Sequence, residues 1–167
     1  MKSVRFLLEN VTSSVASSRA GFWRLAALAW AVEIFWMSTE TFRPSFSRNI
    51  EVGILGWLHI SLSAGTFSIL HAISRKLAHL IEYGVLSFFL YRSFGGNGRT
   101  LWQPRLAFWS IVAAAVYSLT DELHQLFVRG RGASIADCGI DTVGAAIAML
   151  LVYVWSLTFR DLSEDWS

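Results

Sequence analysis

The chain has 167 residues, 54% of them hydrophobic and only 16% charged, and its mean hydropathy is +0.47. That is too apolar for an ordinary soluble domain and too short for two, which leaves one small polytopic membrane protein partnered by the lipid bilayer. A net charge of +2 without a basic patch interleaved with aromatics excludes a nucleic-acid surface, and a single cysteine, Cys138, excludes an intramolecular disulfide.

Residues 1–21 carry Lys2, Arg5 and Arg19 but only a short apolar run at 6–8, which is no signal-peptide core. They are expected to form a cytoplasmic tail. Val4, Leu7, Leu8, Val11 and Val15 recur at helical spacing, so a short helix on the membrane surface and a frayed Ser-rich segment are both open. The first span is predicted at 22–38, with Trp23, Trp30 and Trp36 along it. Glu33, inside that span, is expected to face the bundle, protonated or paired, because a charge in hydrocarbon is costly.

Residues 40–51 hold Pro44, two arginines and two acids and read as a loop. The uncharged stretch 52–74 is long enough to span. It is also rich in Ser and Gly, holds His59 and His71, and abuts Arg75 and Lys76 with almost no room for a turn, so it is predicted to be interfacial or re-entrant. A second span follows at 77–91, then a Gly-rich loop at 93–105 with Arg99, Pro104 and no acid.

The third apolar run, 106–120, has 15 residues, which at about 1.5 Å per residue cover roughly 22 Å of a hydrocarbon core about 30 Å thick. Its helix must therefore continue into Asp121 and Glu122, placing both acids inside the membrane boundary. The fourth span, 138–159, ends in an aromatic edge of Tyr153, Trp155 and Phe159, and 160–167 form a tail. The expected fold is thus all-α: a bundle of four transmembrane helices over 22–159, with an interfacial or re-entrant segment after the first.

The acid-poor basic segments at the N-terminus and between spans two and three favour the cytoplasm, so both termini are predicted on the cytoplasmic side of the inner membrane. Eight Lys/Arg then fall inside and six outside, and four of those six belong to the polar cluster described next. In this arrangement Lys76, His79, Glu82 and Tyr83 open the second span at the outer face. Asp121 to Gln125 close the third there, and Asp137 and Asp141 open the fourth. Helical spacing puts Lys76, His79 and Tyr83 on one face, Asp121 and Gln125 on another, and Asp137 and Asp141 on a third. Gly144, Ala145 and Ala148 continue near the last face, and such small residues allow close helix approach.

The segments R-K-x-A-H-x-x-E-Y at 75–83, D-E-x-H-Q-x-F at 121–127, G-R at Gly130 and Arg131, and S-x-x-D-x-x-x-D-x-x-G at 134–144 resemble the VanZ-like family. The F-W-M-S-T step at 35–39 is similar to the end of that family's first span, and Arg129 stands where the family usually has Pro. The resemblance covers roughly residues 22–159. It implies a small bacterial membrane protein of a family named for low-level teicoplanin resistance. It carries the family's polar residues onto Lys76, His79, Tyr83, Asp121, Glu122, Gln125, Arg131, Asp137 and Asp141.

Three kinds of chemistry suit these residues. In an enzyme acting on an envelope lipid or lipid-linked phosphate, His79 is the general acid or base, positioned by Asp121 or Glu122. Lys76 and Arg131 hold the anionic group, and Tyr83, Gln125, Asp137 and Asp141 complete the substrate-binding set. Ser134 lies in no elbow motif and Cys138 has no adjacent base, so water is the nucleophile in that reading. A non-catalytic binding or accessory protein captures an envelope lipid or antibiotic with the same charges. A metal site has candidate ligands in His79, Glu82, Asp121, Glu122 and His124, at no diagnostic spacing, and the sequence names no cofactor. Simple ion pairing that locks the helices together would carry a desolvation cost, which favours a site. His59, His71 and His124 read individually as interface residues, and Cys138 as a small buried group.

Overall fold

In a computed structural model of the chain, five helices follow one another among the described residues: α1 (Lys2–Met37), α2 (Pro44–Trp57), α3 (Ala64–Ser93), α4 (Pro104–Gln125) and α5 (Ile135–Glu164). The structure describes residues 2–39, 44–96, 102–128 and 134–164, and among them there is no strand. The breaks follow local chemistry. The Ser63 hydroxyl caps α3 by accepting from the Thr66 N–H at 3.1 Å. Gly95, at φ 100°, ends α3 by taking a conformation that disfavours other residues. Pro104 opens α4 at its first turn, where no N–H is needed.

Among the described residues, three helical segments are long and apolar enough to cross a membrane: Arg19–Met37, Pro104–Gln125 and Ile135–Thr158. The second expected span falls on α3, which does not reach that apolarity because Arg75, Lys76, Glu82 and Arg92 lie along it. The surface of the bundle is inverted relative to a soluble protein: Leu25, Leu28, Val32, Phe108, Val116, Leu119, Leu150 and Leu151 are all exposed. Hydrocarbon solvates such a surface, whereas water does not.

Two boundaries differ from expectation. The N-terminal segment and the first span are one uninterrupted helix, with no break near residue 21. The stretch 52–74 is not one unit either: it holds the end of α2, a turn at 58–63 and the first turns of α3. The turn forms because His59, with φ 55°, reverses the chain after Trp57. As expected, α4 continues through Asp121 and Glu122.

Helix α3 is central and packs on α1, α4 and α5, while α4 also packs on α5. Ile34, Tyr83, Leu86, Ala114 and Ala145 form one core cluster, and Tyr91, Ala107 and Met149 a second. Small residues set a close contact: a Cβ on Gly144 would lie 2.2 Å from the Leu80 carbonyl oxygen, so glycine at this position lets α5 touch the α3 backbone. Polar tethers tie α1 on, with Trp30 Nε1 donating to the Glu82 carbonyl at 2.9 Å and the Tyr117 hydroxyl donating to the Ala31 carbonyl at 2.5 Å. Helix α2 is fastened to the first turns of α3 by Glu51, which accepts from the Ser74 hydroxyl at 2.6 Å and lies 2.9 Å from His71 Nδ1.

Candidate functional site

The α3/α5 contact brings His79 to Asp141. Nδ1 of His79 lies 3.3 Å from Asp141 Oδ1, within ion-pair reach but misaligned for a hydrogen bond, and neither atom has another hydrogen-bond partner among the described residues. Asp141 is only 1% exposed, and its other oxygen accepts from the Ser118 hydroxyl at 2.5 Å. A buried carboxylate needs such donors, and α4 supplies one from a serine three residues before Asp121. Asp121, also buried, is held from both sides: one oxygen accepts from the Ser38 hydroxyl at the end of α1, the other from Gln125 Nε2 at 2.9 Å. Asp121 and Gln125 therefore meet one helical turn apart, as their spacing requires.

Two cavities flank His79. One, of about 190 Å³, lies under α2 and is lined by Ser38, Phe46, Arg75, His79, Glu82 and Asp121 among others. The other, of about 120 Å³, lies between α3 and α5 and is lined by Ala72, Arg75, Lys76, His79, Asp137 and Ile140. His79 and Arg75 line both. One imidazole and one guanidinium thus stand between a compartment that is mostly apolar with two acids and a compartment with a Lys and an Asp.

The sequence-predicted residues separate into groups on this geometry. Lys76, His79, Asp121 and Asp137 line the cavities, and Asp141 backs His79. Glu122 lines neither cavity; it accepts the Ser134 backbone N–H at 2.6 Å and so anchors the start of α5 to the end of α4. A carboxylate at a helix N-terminus is favourable there. Gln125 also stays off the cavities and positions Asp121. Tyr83 is fully buried in the core against Ile34, Leu86, Ala114 and Ala145, with its ring 6.3 Å from that of Tyr117. Its hydroxyl has no hydrogen-bond partner among the described residues. Arg131 lies outside the described residues.

Sequence reasoning assigns Arg75 only to the edge of a span, yet it lines both cavities; its place at the head of R-K-x-A-H is the available signal. Ser38 and Ser118 also escape it, since a serine in an apolar run carries no signal until a buried carboxylate is known to face it. Among the described residues, no three of His, Cys, Asp and Glu converge to hold a metal ion. His124 packs on Phe35, ring centroids 4.5 Å apart, and Cys138 is buried.

Residues 23–156 match the family model VanZ/LLP1, and the chain belongs to that family. Comparison with curated proteins and with solved structures finds no match.

Proposed function

We propose that this member of the VanZ/LLP1 family is a multi-pass protein of the cytoplasmic membrane that binds the phosphate of an anionic envelope lipid at its outer face and moves protons on it. In this reading α1, α3, α4 and α5 all span, both termini are cytoplasmic, and the cluster around His79 opens outward. The observation that carries it is the buried His79–Asp141 pair, 3.3 Å apart, standing between two cavities that share Arg75. Asp141 faces Nδ1, which leaves Nε2 to exchange a proton with a ligand. Arg75 and Lys76 supply the positive charge a phosphate needs, Arg75 with the planar fork suited to its oxygens.

Hydrolysis follows from these parts. A water oxygen attacks phosphorus and loses its proton to Asp137, the carboxylate that lines the Lys76 pocket with His79, the P–O bond to the leaving group breaks, and the departing oxygen takes the proton from His79. A second reading, capture without turnover, has its own support: both oxygens of Asp121 already accept hydrogen bonds, and Glu122 holds the Ser134 N–H. A part in glycopeptide tolerance, implied by the family resemblance, suits either reading, because both alter the supply of an envelope lipid at the outer face.

Two experiments test this. In protein with Cys138 replaced by serine, a cysteine introduced at Ser61, in the turn between α2 and α3, should react with an impermeant thiol reagent added outside, and one at Gln103, before α4, should not. The opposite sidedness would overturn the orientation. Purified protein given a radiolabelled lipid monophosphate should bind it, with Lys76→Gln weakening binding about tenfold. Release of inorganic phosphate that His79→Gln abolishes would establish hydrolysis, retained binding without release would establish capture, and binding indifferent to Lys76 would sink the head-group site.

A further inference from the structure

A third cavity extends the site. It is an open groove of about 640 Å³ between α3 and α5, with apolar walls apart from Arg92. On α3, every fourth residue from Ala72 through Lys76, Leu80, Gly84, Phe88 and Arg92 lines either the Lys76 pocket or this groove. On α5, Ile140, Gly144, Ala148 and Val152 do the same. Residues four apart form one ridge along a helix. The cationic pocket and the apolar groove are therefore successive parts of one seam, polar at the Lys76 end and apolar below Leu80.

The floor of the groove is where the helices touch, because Gly84 and Gly144 have no side chains to hold the two backbones apart. From Leu80 to Arg92 it runs for about 18 Å along α3, a length suited to a long apolar chain. At its far end the Arg92 guanidinium sits 4.8 Å from the centre of the Trp23 ring, and Trp155 lines the same cavity. Arg and Trp together are the pattern of a membrane–water boundary.

We propose that the ligand is a single-chain lipid phosphate lying along this seam, its phosphate in the pocket of Arg75 and Lys76 and its chain in the α3/α5 groove, entering sideways from the bilayer. This rests on the head-group reading above and specifies its substrate class. Charge complementarity commits the polar end: two cations line the pocket, against one carboxylate, Asp137. The groove accommodates one chain, so a long-chain alcohol phosphate fits where a two-chain phospholipid leaves one chain outside. Bilayer lipid is as apolar as the groove, so the groove acts by setting where the phosphate sits, with little gain in affinity from the chain itself.

The test is photolabelling of the whole protein in detergent with hexadecyl phosphate bearing a diazirine midway along its chain. Label is expected on residues 80–92 and 144–155, falling about tenfold with excess unlabelled hexadecyl phosphate. It should fall similarly in Leu151→Trp and in Ile81→Trp, which fill the groove from its lipid side, where Leu151 is 64% exposed and Ile81 59%. Melting temperatures of the two variants show that they fold. Displaceable label on other helices, or displaceable groove label that survives both tryptophans, would overturn the groove and leave the phosphate pocket standing. Label that neither competitor nor Lys76→Gln reduces would overturn the head-group reading as well. Leu151→Cys protein that oxidises to a disulfide dimer in proportion to its loss of labelling would show a second copy in the groove and overturn the proposal.

Discussion

Replacing Gly144 by alanine is expected to destabilise the protein by about 3 kcal/mol, at the upper end of what a single added methyl does in a packed interior. The new Cβ would lie 2.2 Å from the Leu80 carbonyl oxygen and 2.9 Å from its carbonyl carbon and Cα. All three are backbone atoms of the central helix, so no side chain can turn away to make room. The helices would have to part by about 1 Å, and close-packed interiors absorb such a shift poorly. In detergent the melting temperature should fall by on the order of 10 °C. Gly84→Ala is the internal control: its Cβ would meet the Gly144 oxygen at 3.2 Å, which a shift of a few tenths of an ångström relieves, so its loss should be about 1 kcal/mol. Equal melting of Gly144→Ala and the unchanged protein would show that α3 and α5 do not pack this closely.

Gly144 also bears on the site. Leu80 follows His79 directly, and Gly144 lies three residues after Asp141, so the contact that fixes the two backbones fixes the 3.3 Å between imidazole and carboxylate. The small residues Gly144, Ala145 and Ala148 are legible in the sequence as a close-packing face, because residues of that size let membrane helices approach closely. The continuation of α4 through Asp121 is legible for a different reason: fifteen apolar residues are too few for the hydrocarbon thickness. The break of 52–74 into two helices is not, since its apolar composition suits a turn at an interface as well as a span, and the deciding feature is the backbone at His59.

Within the cluster, sequence can say which acids face the bundle but not which oxygen meets which donor. Glu122 and Asp121 are neighbours of one chemistry, yet their directions differ by about 100° on a helix. That turn sends Asp121 towards Ser38 and the cavity, and Glu122 towards the backbone of Ser134. Tyr83 shares the helical face of His79 but lies one turn deeper, where Ala114 and Ala145 close over it. Spacing reports a face and not a depth, and depth decides whether a ligand can reach a side chain.

His79→Gln and Asp141→Asn are expected to abolish function while leaving the protein inserted and nearly as stable as before, and this pair separates a working site from an ion pair that merely joins α3 to α5. Both changes keep shape and hydrogen-bonding capacity. Asparagine can still accept from the Ser118 hydroxyl, which now donates to Asp141 at 2.5 Å, and a His79 that loses its carboxylate can deprotonate and remain neutral. The stability cost should therefore stay near about 1 kcal/mol, a melting shift of roughly 2–4 °C. If instead the charged pair is what holds the helices, removing one partner strands a buried charge and costs about 3 to 5 kcal/mol, comparable to Gly144→Ala. Function should fall in both variants on the site reading, because glutamine cannot carry a proton between a ligand and its surroundings and asparagine cannot stabilise an imidazolium. The measurement is melting temperature and lipid phosphate release or capture on the same preparations. Loss of stability as large as that of Gly144→Ala, in step with loss of function, would show that the pair is scaffold. Unchanged release and binding in both variants would show that the proton-transfer role lies elsewhere. Stable protein with binding intact and release abolished would assign the chemistry to His79, positioned by Asp141.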